Sequence, residues 1–366
     1  MAGSTLGTIF KITTWGESHG KALGVVVDGC PAGLPLCEED IQIFLDRRKP
    51  GQSAITTQRK ESDEVEILSG VFEGRTTGTP ISMMVRNTSQ ISKDYSDIAS
   101  YYRPGHADYT FDEKYGFRDY RGGGRSSGRE TVGRVAAGAI ALKLLKELGI
   151  EVIAYTRAIG PIQIDDTAFD KSAILSTPTA MPDREASAKA EEYLAQCKSE
   201  TDSAGGVIEC MVNGLPAGIG DPVFEKLDAN LSKALFSIGA VKAVEIGDGI
   251  AVASKKGSEN NDSFIMKNDA VTKKTNHAGG ILGGISDGDT IVARAYIKPT
   301  PSIFKTQETV NKSGEEIEIQ IKGRHDPVIV PRAVVVVEAM TALTVLDLLL
   351  TNMSAKLDGI KDFYKK

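Results

Sequence analysis

The stretch that most constrains the fold is residues 118–134, where a loop rich in glycine and arginine runs into a helical pattern. Its seventeen residues contain five arginines and five glycines. Ser126 or Ser127 can cap the helix that follows. The free N–H groups of a helix N-terminus attract anions, and arginine binds phosphate or carboxylate with paired hydrogen bonds. The stretch therefore predicts a site for a small, multiply charged anion. The expected buried face of the helix consists of Val132, Val135, Ala136, Ala139, Ile140 and Leu144.

Structural interpretations of the same residues remain open. The three consecutive glycines at 122–124 could form only a flexible turn, and Glu130 with Arg134 could be a solvated i,i+4 ion pair. A similar ambiguity concerns the bases at 47–49, which close a helix expected to begin at Pro35. Bases at a helix C-terminus complement its dipole without binding a ligand. They would equally suit an anion, so the sequence leaves both functions open.

Length and charge are those of an ordinary soluble globular protein. The chain has 366 residues, of which 41% are hydrophobic and 25% are charged. Its net charge of −6 argues against general binding to nucleic acid, so the local positive charge suggests a basic pocket in an acidic protein. Neither a repeat nor an interdomain linker is evident, and we expect one domain over residues 1–366.

The chain is expected to be cytoplasmic and not attached to a membrane. Its four cysteines contain no Cys-x-x-Cys pair and no metal-ligand spacing, which fits a reducing compartment. Its first residues lack the basic and apolar regions of a signal peptide. The most apolar run, 333–350, includes Glu338 and Asp347. We therefore expect a buried core helix there rather than a membrane span.

Strands and helices mix without the regular alternation of a doubly wound sheet, so the expected fold class is α+β. Strands at 8–15 and 24–28 should form a hairpin that exposes His19 in its connection. Residues 254–280 are polar, with little apolar periodicity, and are expected to form a long flexible loop. The other expected strands cover 65–68, 78–85, 150–155, 206–212, 241–246, 290–297 and 317–321, and further helices cover 182–198 and 224–235 and follow Pro331.

Loop histidines are the candidates for acid–base chemistry. Each lies in a segment that contains glycine or proline, and histidine titrates near neutrality. Asp326 is close to an arginine two residues earlier, so it would be ionised and could be a base or a salt-bridge partner. The sequence contains no P-loop, Rossmann glycine pattern or serine nucleophile elbow. The four histidines are His19, His106, His277 and His325.

Six motifs follow one another across nearly the whole chain. They are Gly-Glu-Ser-His-Gly at 16–20, Arg-Pro-Gly-His-Ala-Asp at 103–108, Arg-Gly-Gly-Gly-Arg-Ser-Ser-Gly-Arg-Glu-Thr at 121–131, Asn-His-Ala-Gly-Gly-Ile-Leu-Gly-Gly-Ile-Ser at 276–286, Lys-Pro-Thr at 298–300 and Gly-Arg-His-Asp-Pro at 323–327. Together they resemble the chorismate synthase family, and six motifs in order are far more specific than any one. The resemblance implies a single α+β domain with helices sandwiched between antiparallel β-sheets, usually assembled as a homotetramer.

The resemblance also implies a reaction. Members of this family are lyases that form chorismate from 5-enolpyruvylshikimate 3-phosphate by 1,4-anti elimination of phosphate, the last step of the shikimate pathway. They require reduced FMN without net redox change, and NADPH or an external flavin reductase is a possible source of reducing equivalents. A substrate with carboxylates and a phosphate, together with a flavin phosphate, explains why an acidic protein carries so many clustered arginines.

Matching the motifs residue by residue assigns roles. His19 would protonate the departing phosphate, His106 would protonate or hydrogen-bond the reduced flavin, and Asp326 would help remove the ring proton. Ser18 and Ser127 would support the histidines through hydrogen bonds. No metal is implied. The implied FMN contacts are Arg125, Ser126, Ser127, Gly239, Ala240, Gly283, Lys298, Pro299, Thr300, Pro301, Ser302 and Arg324, with Arg48 also implied for NADP. The implied substrate contacts are Arg48, Arg129, Arg134 and Arg332.

Three positions depart from the usual family pattern. Ala54 stands where relatives often have an arginine, so one anion contact is in doubt and Arg59 could compensate. Pro301 stands where many relatives have serine, and proline removes a backbone donor. Gly239 stands where many relatives have asparagine, so only a backbone contact is expected there.

Two other classes of function are alternatives. A nucleotide-dependent phosphotransferase could use the glycine-rich loop, but the P-loop lysine pattern is missing. A non-catalytic binding protein could have kept the anion pocket, but the loop histidines and Asp326 are all present.

Overall fold

The structure is a computed structural model that describes residues 3–49, 51, 62–87, 97–267, 269–321 and 326–365. The strands in chain order are β1 (Thr5–Leu6), β2 (Lys11–Gly16), β3 (Ala22–Asp28), β4 (Val65–Ile67), β5 (Val71–Phe72), β6 (Arg75–Thr76), β7 (Ile81–Arg86), β8 (Glu151–Ile159), β9 (Ile162–Gln163), β10 (Gly206–Asn213), β11 (Val241–Ile246), β12 (Phe264–Lys267), β13 (Ala270–Lys273), β14 (Ile281–Leu282), β15 (Ile285–Ser286), β16 (Ile291–Ile297), β17 (Thr306–Val310) and β18 (Glu316–Gln320). The helices are α1 (Glu38–Arg48), α2 (Asp108–Tyr115), α3 (Thr131–Glu147), α4 (Arg184–Ser199), α5 (Leu227–Phe236), α6 (Gly257–Asn260), α7 (Val330–Thr351) and α8 (Leu357–Tyr364).

Two five-stranded antiparallel sheets form the framework against which the main helices pack. The first sheet has the strand order β1–β2–β3–β7–β4, and the second has the order β11–β16–β10–β8–β9. In β16, Ile291, Ala293 and Ala295 are fully buried and alternate with half-buried residues. Such alternation directs one face of a strand toward the core. The mixture of helices and antiparallel sheets confirms the expected α+β class.

Helices α3 and α7 form the centre of the core. Helix α3 packs against β2, β3 and β7 of the first sheet, α7 packs against β8 and β10 of the second, and the two helices pack against each other. Their close approach depends on Gly138, because a Cβ there would lie 2.3 Å from the Cβ of Ala339 on α7. A larger side chain at that position would force the two helices apart.

Helix α7 is long and apolar, yet it is a core helix. The segment Val330–Ser354 is long and apolar enough to cross a membrane, but 89% of its most apolar window is buried inside the protein. Its two acids have internal partners: Glu338 accepts two hydrogen bonds from Arg47, at 2.9 and 2.7 Å, and Asp347 accepts three backbone hydrogen bonds from residues 8–10. Pairing of this kind allows acids to be buried. The expectation of a buried helix at 333–350 is confirmed.

The structure also corrects several expected boundaries. Residues 254–280 were expected to form only a loop, but they contain α6 and a hairpin in which β12 pairs with β13. Helix α1 begins at Glu38 rather than at Pro35, because extended Cys37 caps it and Pro35 instead forms a bridge with Arg75. Strand β17 was missed because its largely exposed sequence, Thr-Gln-Glu-Thr-Val, lacks apolar alternation. The β2–β3 hairpin with His19 in its connection is confirmed.

Candidate functional site

The glycine-rich loop holds His19 through a close backbone approach. Gly122, Gly123 and Gly124 have φ angles of 68°, 84° and 53°, a region that residues with a Cβ rarely adopt. A Cβ on Gly122 would lie 2.2 Å from Cε1 of His19, so only glycine fits against the imidazole. The loop is thus a shaped support for His19 and not only a flexible turn.

Ser18 orients the imidazole of His19. The Oγ of Ser18 lies 3.2 Å from Nδ1 of His19, and it donates its own proton to the carbonyl of Gly122 at 3.3 Å. Because that single proton is used, Oγ must accept the hydrogen bond from a protonated Nδ1. Ser18 therefore fixes both the orientation and the tautomer of His19.

The two serines after the glycines serve the loop and the helix. Ser126 donates to the carbonyl of Gly123 at 2.7 Å. Ser127 accepts the backbone N–H of Arg129 at 3.3 Å and so caps the short turn that leads into α3. Capping by one of these serines was expected from the sequence. The described hydrogen bond of Ser127 goes to this backbone rather than to a histidine.

An arginine cluster is built on Asp63. Its carboxylate accepts hydrogen bonds from Arg48 and, at 2.7 Å, from Nη1 of Arg129. The side chains of Asp63 and Arg48 are 0% and 3% exposed. Burial alone would raise the pKa of Asp63, but the positive charges of Arg48 and Arg129 outweigh it and lower that pKa. An ionised Asp63 therefore brings together two arginines expected to bind substrate.

Arg332 and Asp326 extend the cluster. Arg332 donates from Nε to the backbone carbonyl of Arg48 at 3.1 Å and from Nη1 to Asp326 at 2.5 Å. Burial, together with the charges of Arg332 and Arg129, lowers the pKa of Arg48 despite its partner Asp63. Among the described residues, the buried Nε of Arg48 has no hydrogen-bond partner. A buried donor of this kind is unfavourable until a ligand or water accepts from it, which suits an anion site.

Asn87 connects the arginine cluster with the His19 loop. Its Oδ1 accepts a hydrogen bond from Nε of Arg129 at 2.7 Å. Its Nδ2 donates to the carbonyls of Glu17 and Gly20, at 3.0 and 2.9 Å, on either side of His19. One amide side chain thus fixes the position of the candidate acid relative to a candidate anion ligand.

Arg125 and Arg134 have protein partners around Glu130. Arg134 donates to Glu130 at 2.8 Å, and Arg125 donates at 2.7 Å to Thr14, which itself donates to Glu130 at 3.0 Å. Glu130 is only 9% exposed, so its i,i+4 pair with Arg134 is not a solvated surface pair. Arg134 also donates to Ser237 at 2.6 Å, shortly before Gly239. These guanidinium groups stabilise the junction of the first sheet, α3 and α5.

His106 lies in a second cluster and is neutral at pH 7. Its Nδ1 lies 3.0 Å from the carbonyl of Pro104, and its Nε2 lies 3.1 Å from Oγ of Ser302. A carbonyl only accepts, so Nδ1 carries the proton and Nε2 accepts from Ser302. Burial, reinforced by the charge of Arg103, lowers the pKa of His106 to about 4.

The segment 298–302 brings His106 and Ala240 together. The Lys298 side chain donates to the carbonyl of Gly105 at 2.7 Å, and its backbone N–H donates to the carbonyl of Ala240 at 2.9 Å. Pro301 packs closely on Gly105, because a Cβ added to Gly105 would lie 2.7 Å from the Cβ of Pro301. The loop before α2 and the segment after β16 therefore form one surface.

A sequence model of the chorismate synthase family matches residues 10–350. The chain belongs to the chorismate synthase family. A curated chorismate synthase from Agathobacter rectalis is 69% identical, with 100% of both chains covered, and one from Methanocella arvoryzae is 56% identical over 96% of this chain and 95% of that relative. A crystal structure of a chorismate synthase superposes with a TM-score of 0.77 at 31% identity, covering 98% of this chain and 96% of that one. This chain is therefore a phosphate-lyase that forms chorismate, the last step of the shikimate pathway.

The residues expected to hold a flavin in this chorismate synthase family member leave room for one. Within the described part of the chain, a Cβ on Gly239 or on Gly283 would meet no atom within 4 Å. Ala240 has a φ of 73°, and the buried Oγ1 of Thr300 has no described hydrogen-bond partner. Exposed backbone and an unpaired hydroxyl are groups that a flavin with its phosphate can use, so this donor set fits FMN.

The remaining sequence predictions concern residues outside the described ranges, His277 and a metal site. Arg324, His325, Ala54 and Arg59 fall outside the described residues. His277 pairs through Nδ1 with Asp248 at 2.6 Å, and none of its described contacts joins it to either cluster. No group of three His, Cys, Asp or Glu residues that could hold a metal occurs in the ranges that the structure describes.

Sequence reasoning missed Asp63 and Asn87, which organise the site, and considered Glu130 only as a solvated partner of Arg134. Asp63 and Asn87 accept hydrogen bonds from Arg129 far away in the chain, and Glu130 accepts one from Thr14 in β2. Asn87 directly follows a strand, a place where functional side chains are common. Asp63 is one of four acids within residues 61–66, and nothing in the immediate sequence of Asp63 or of Glu130 marks it as buried.

Proposed function

We propose that this chain converts 5-enolpyruvylshikimate 3-phosphate to chorismate by 1,4-anti elimination, with reduced FMN bound beside the substrate. The observation that carries the proposal is the joined arrangement of Arg48, Arg129 and Arg332 with the His19 loop, which Asn87 connects. It provides an anion site next to a candidate acid, as the elimination of phosphate requires. The overall arrangement of two sheets around α3 and α7 is inferred to be the sandwich of the family, on the helix contacts described above.

Arg48, Arg129 and Arg332 are proposed to bind the anionic groups of the substrate. Their three guanidinium groups converge around two carboxylates, Asp63 and Asp326. The unpartnered Nε of Arg48 would gain an acceptor. Charge-assisted bonds from guanidinium to phosphate or carboxylate are short and strong, and burial strengthens them further. Arg134 is proposed as a further substrate contact, although its described hydrogen bonds go to protein groups.

His19 is proposed as the acid. Its Nδ1 proton is held by Ser18, so a second proton on Nε2 would be the one given to the departing phosphate oxygen. An adjacent phosphate dianion would favour the charged imidazolium. General-acid catalysis of this kind typically contributes about 10²–10⁴-fold to a rate.

The FMN site is proposed to lie along Ser126, Ser127, Gly239, Ala240, Gly283 and residues 298–302, with Arg125 and Arg324 nearby. When bound, reduced FMN supplies an electron-rich ring that assists loss of phosphate without net redox change. Neutral His106 can accept a hydrogen bond from the flavin at Nε2, the atom that accepts from Ser302 in the ligand-free protein. To donate a proton it must first be protonated, which an anionic ring nearby would favour. Asp326, held by Arg332, is proposed to help remove the ring proton.

Further parts of the proposal rest on the family resemblance alone. They are assembly as a homotetramer, reduction of the flavin by NADPH at Arg48 or by an external reductase, and a cytoplasmic location.

The proposal is tested by an anaerobic assay of chorismate and phosphate release with photoreduced or oxidised FMN. We expect product only with the reduced flavin, and no consumption of flavin. The variant His19→Asn should lower kcat about 10²–10⁴-fold while its free energy of unfolding stays close to that of the wild type. His277→Asn is the matched control, because it removes a loop histidine outside both clusters. Absence of product with either flavin, when substrate and flavin both bind, would refute the proposal.

A further inference from the structure

Asp63 occupies an unusual position for an acid. Its side chain is fully buried, and both of its carboxylate oxygens face guanidinium groups, one of Arg48 and one of Arg129. Arg48 comes from the last turn of α1, and Arg129 comes from the turn before α3. These elements are distant in the chain, so Asp63 is the group through which the two arginines are held at one place.

The backbone around Asp63 is itself fixed. Asp63 has a φ of 48°, a conformation that aspartate tolerates better than most residues. Gln42 on α1 donates to the carbonyl of Asp63 at 3.3 Å and accepts the N–H of Val65 at 3.1 Å. One side chain thus holds the backbone on both sides of Glu64, directly after Asp63. Helix α1 provides both this clamp and Arg48, so the acid and its first arginine are tied to the same helix.

We propose that Asp63 is a positioning residue for the elimination, which holds Arg48 and Arg129 in the orientation that binds the anionic groups of the substrate. The inference rests on the proposed substrate role of these two arginines. Asp63 itself would not touch the substrate. It acts by allowing like charges to converge before the substrate arrives, since two guanidinium groups repel each other without an anion between them. Groups oriented in advance lose less entropy on binding and reach the productive geometry more often.

A different role for Asp63, competition with the substrate, predicts the opposite change in substrate affinity, so one measurement distinguishes the two roles. If Asp63 only competed with the substrate for the arginines, its neutralisation would make the site more positive and would tighten substrate binding. If Asp63 positions the arginines, its neutralisation must weaken binding although the site gains positive charge. A purely structural ion pair would change the stability of the protein and leave the kinetic constants alone.

The decisive variants are Asp63→Asn and Gln42→Met, with Glu66→Gln as the matched control. Asp63→Asn keeps the shape and removes the charge, whereas Gln42→Met keeps every charge and removes the clamp together with the hydrogen bond from Gln42 to Asp46. Glu66→Gln neutralises an acid three residues away whose partner, Arg86, is exposed. The anaerobic assay gives kcat and KM for 5-enolpyruvylshikimate 3-phosphate. Calorimetry in the presence of oxidised FMN gives the Kd of this substrate, and urea unfolding gives the free energy of unfolding.

We expect Asp63→Asn to raise KM and Kd and to lower kcat/KM about 100-fold, as for a displaced catalytic geometry. Gln42→Met removes both hydrogen bonds of the clamp and should raise KM about tenfold, and Glu66→Gln should match the wild type. A lower Kd in Asp63→Asn, or altered stability with unchanged KM in both variants, would overturn the inference. If Asp63→Asn does not fold, Gln42→Met decides alone.

A further variant separates this inference from the function on which it rests. Arg129→Lys keeps the charge but loses the planar donors. If this variant leaves KM and Kd unchanged, the substrate role of Arg129 fails, and the positioning role fails with it. If it raises KM while Asp63→Asn and Gln42→Met do not, the substrate role stands and only the positioning role of Asp63 is refuted.

Discussion

Replacement of Gly122 by alanine should inactivate the enzyme by moving His19. The new Cβ would lie 2.2 Å from Cε1 of His19, whereas carbon atoms in contact are about 3.5–4.0 Å apart. The imidazole or the loop must therefore shift by about 1.3 Å or more. A displacement of about 1 Å in an active site can lower a rate about 100-fold. Because Gly122 also has a φ of 68°, alanine there adds about 1–2 kcal/mol of backbone strain.

A second glycine separates the clash from the strain. Gly116, at the end of α2, has a φ of 78°, and a Cβ there would meet no described atom within 4 Å. Gly116→Ala should therefore have the same backbone strain as Gly122→Ala without touching His19. In urea unfolding we expect both variants to lose about 1–2 kcal/mol. In the anaerobic assay only Gly122→Ala should lose kcat, by about 100-fold.

Two results would refute this reasoning. A wild-type kcat in Gly122→Ala would show that the loop does not determine the position of His19. Similar losses of kcat in both variants would assign the effect to backbone strain and not to the contact with the imidazole.

Two further predictions concern stability. Asp347→Ala should lower the free energy of unfolding by about 3 kcal/mol, because the N–H groups of residues 8–10 lose a charged acceptor. Asp347→Asn should lower it less, and urea unfolding of both variants checks this. The pKa of His106 is about 4 in the folded protein and about 6.5 when unfolded, so the unfolded chain takes up the proton first as the pH falls. The wild type should lose up to about 3 kcal/mol between pH 6.5 and 4 relative to His106→Gln, and an equal loss in both would contradict the assignment.

Local signals in the sequence were sufficient for the regular elements and for the loops that carry the site. The alternation in β10 and the apolar run in α7 depend on neighbouring residues alone, and both were predicted close to their observed bounds. The start of α1 was misplaced because proline at 35 resembles a first helical residue, whereas the structure uses Cys37 and Asp40 as the cap. The hairpin of β12 and β13 was missed because each strand has only four residues and β12 is exposed throughout, so no alternation marks them.

The arginines of the site show why side-chain roles were harder to predict than elements. Five arginines in residues 118–134 suggested one anion site, but they separate in the fold. Arg118 is buried and binds Asp112 and the carbonyls of Ile98 and Tyr101, which stabilises the region around α2. Only Arg129 joins the cluster with Arg48. Sequence spacing gives the number of available cations, whereas the choice among them depends on buried acids, Asp63 from elsewhere in the chain and Glu130 within the stretch itself.

The charges around Asp63 also imply that folding and substrate binding are coupled. Arg48, Arg129 and Arg332 are held close together around Asp63 and Asp326, and the buried Nε of Arg48 has no described hydrogen-bond partner. Both features destabilise the ligand-free state. A bound anion removes both penalties at once, and any ligand that binds only the folded state stabilises it by mass action. The arrangement thus lowers the stability of the ligand-free protein and raises its affinity for the anion. Asp63 reduces the loss of stability, because its negative charge offsets part of the repulsion and lets the site form before the substrate is present.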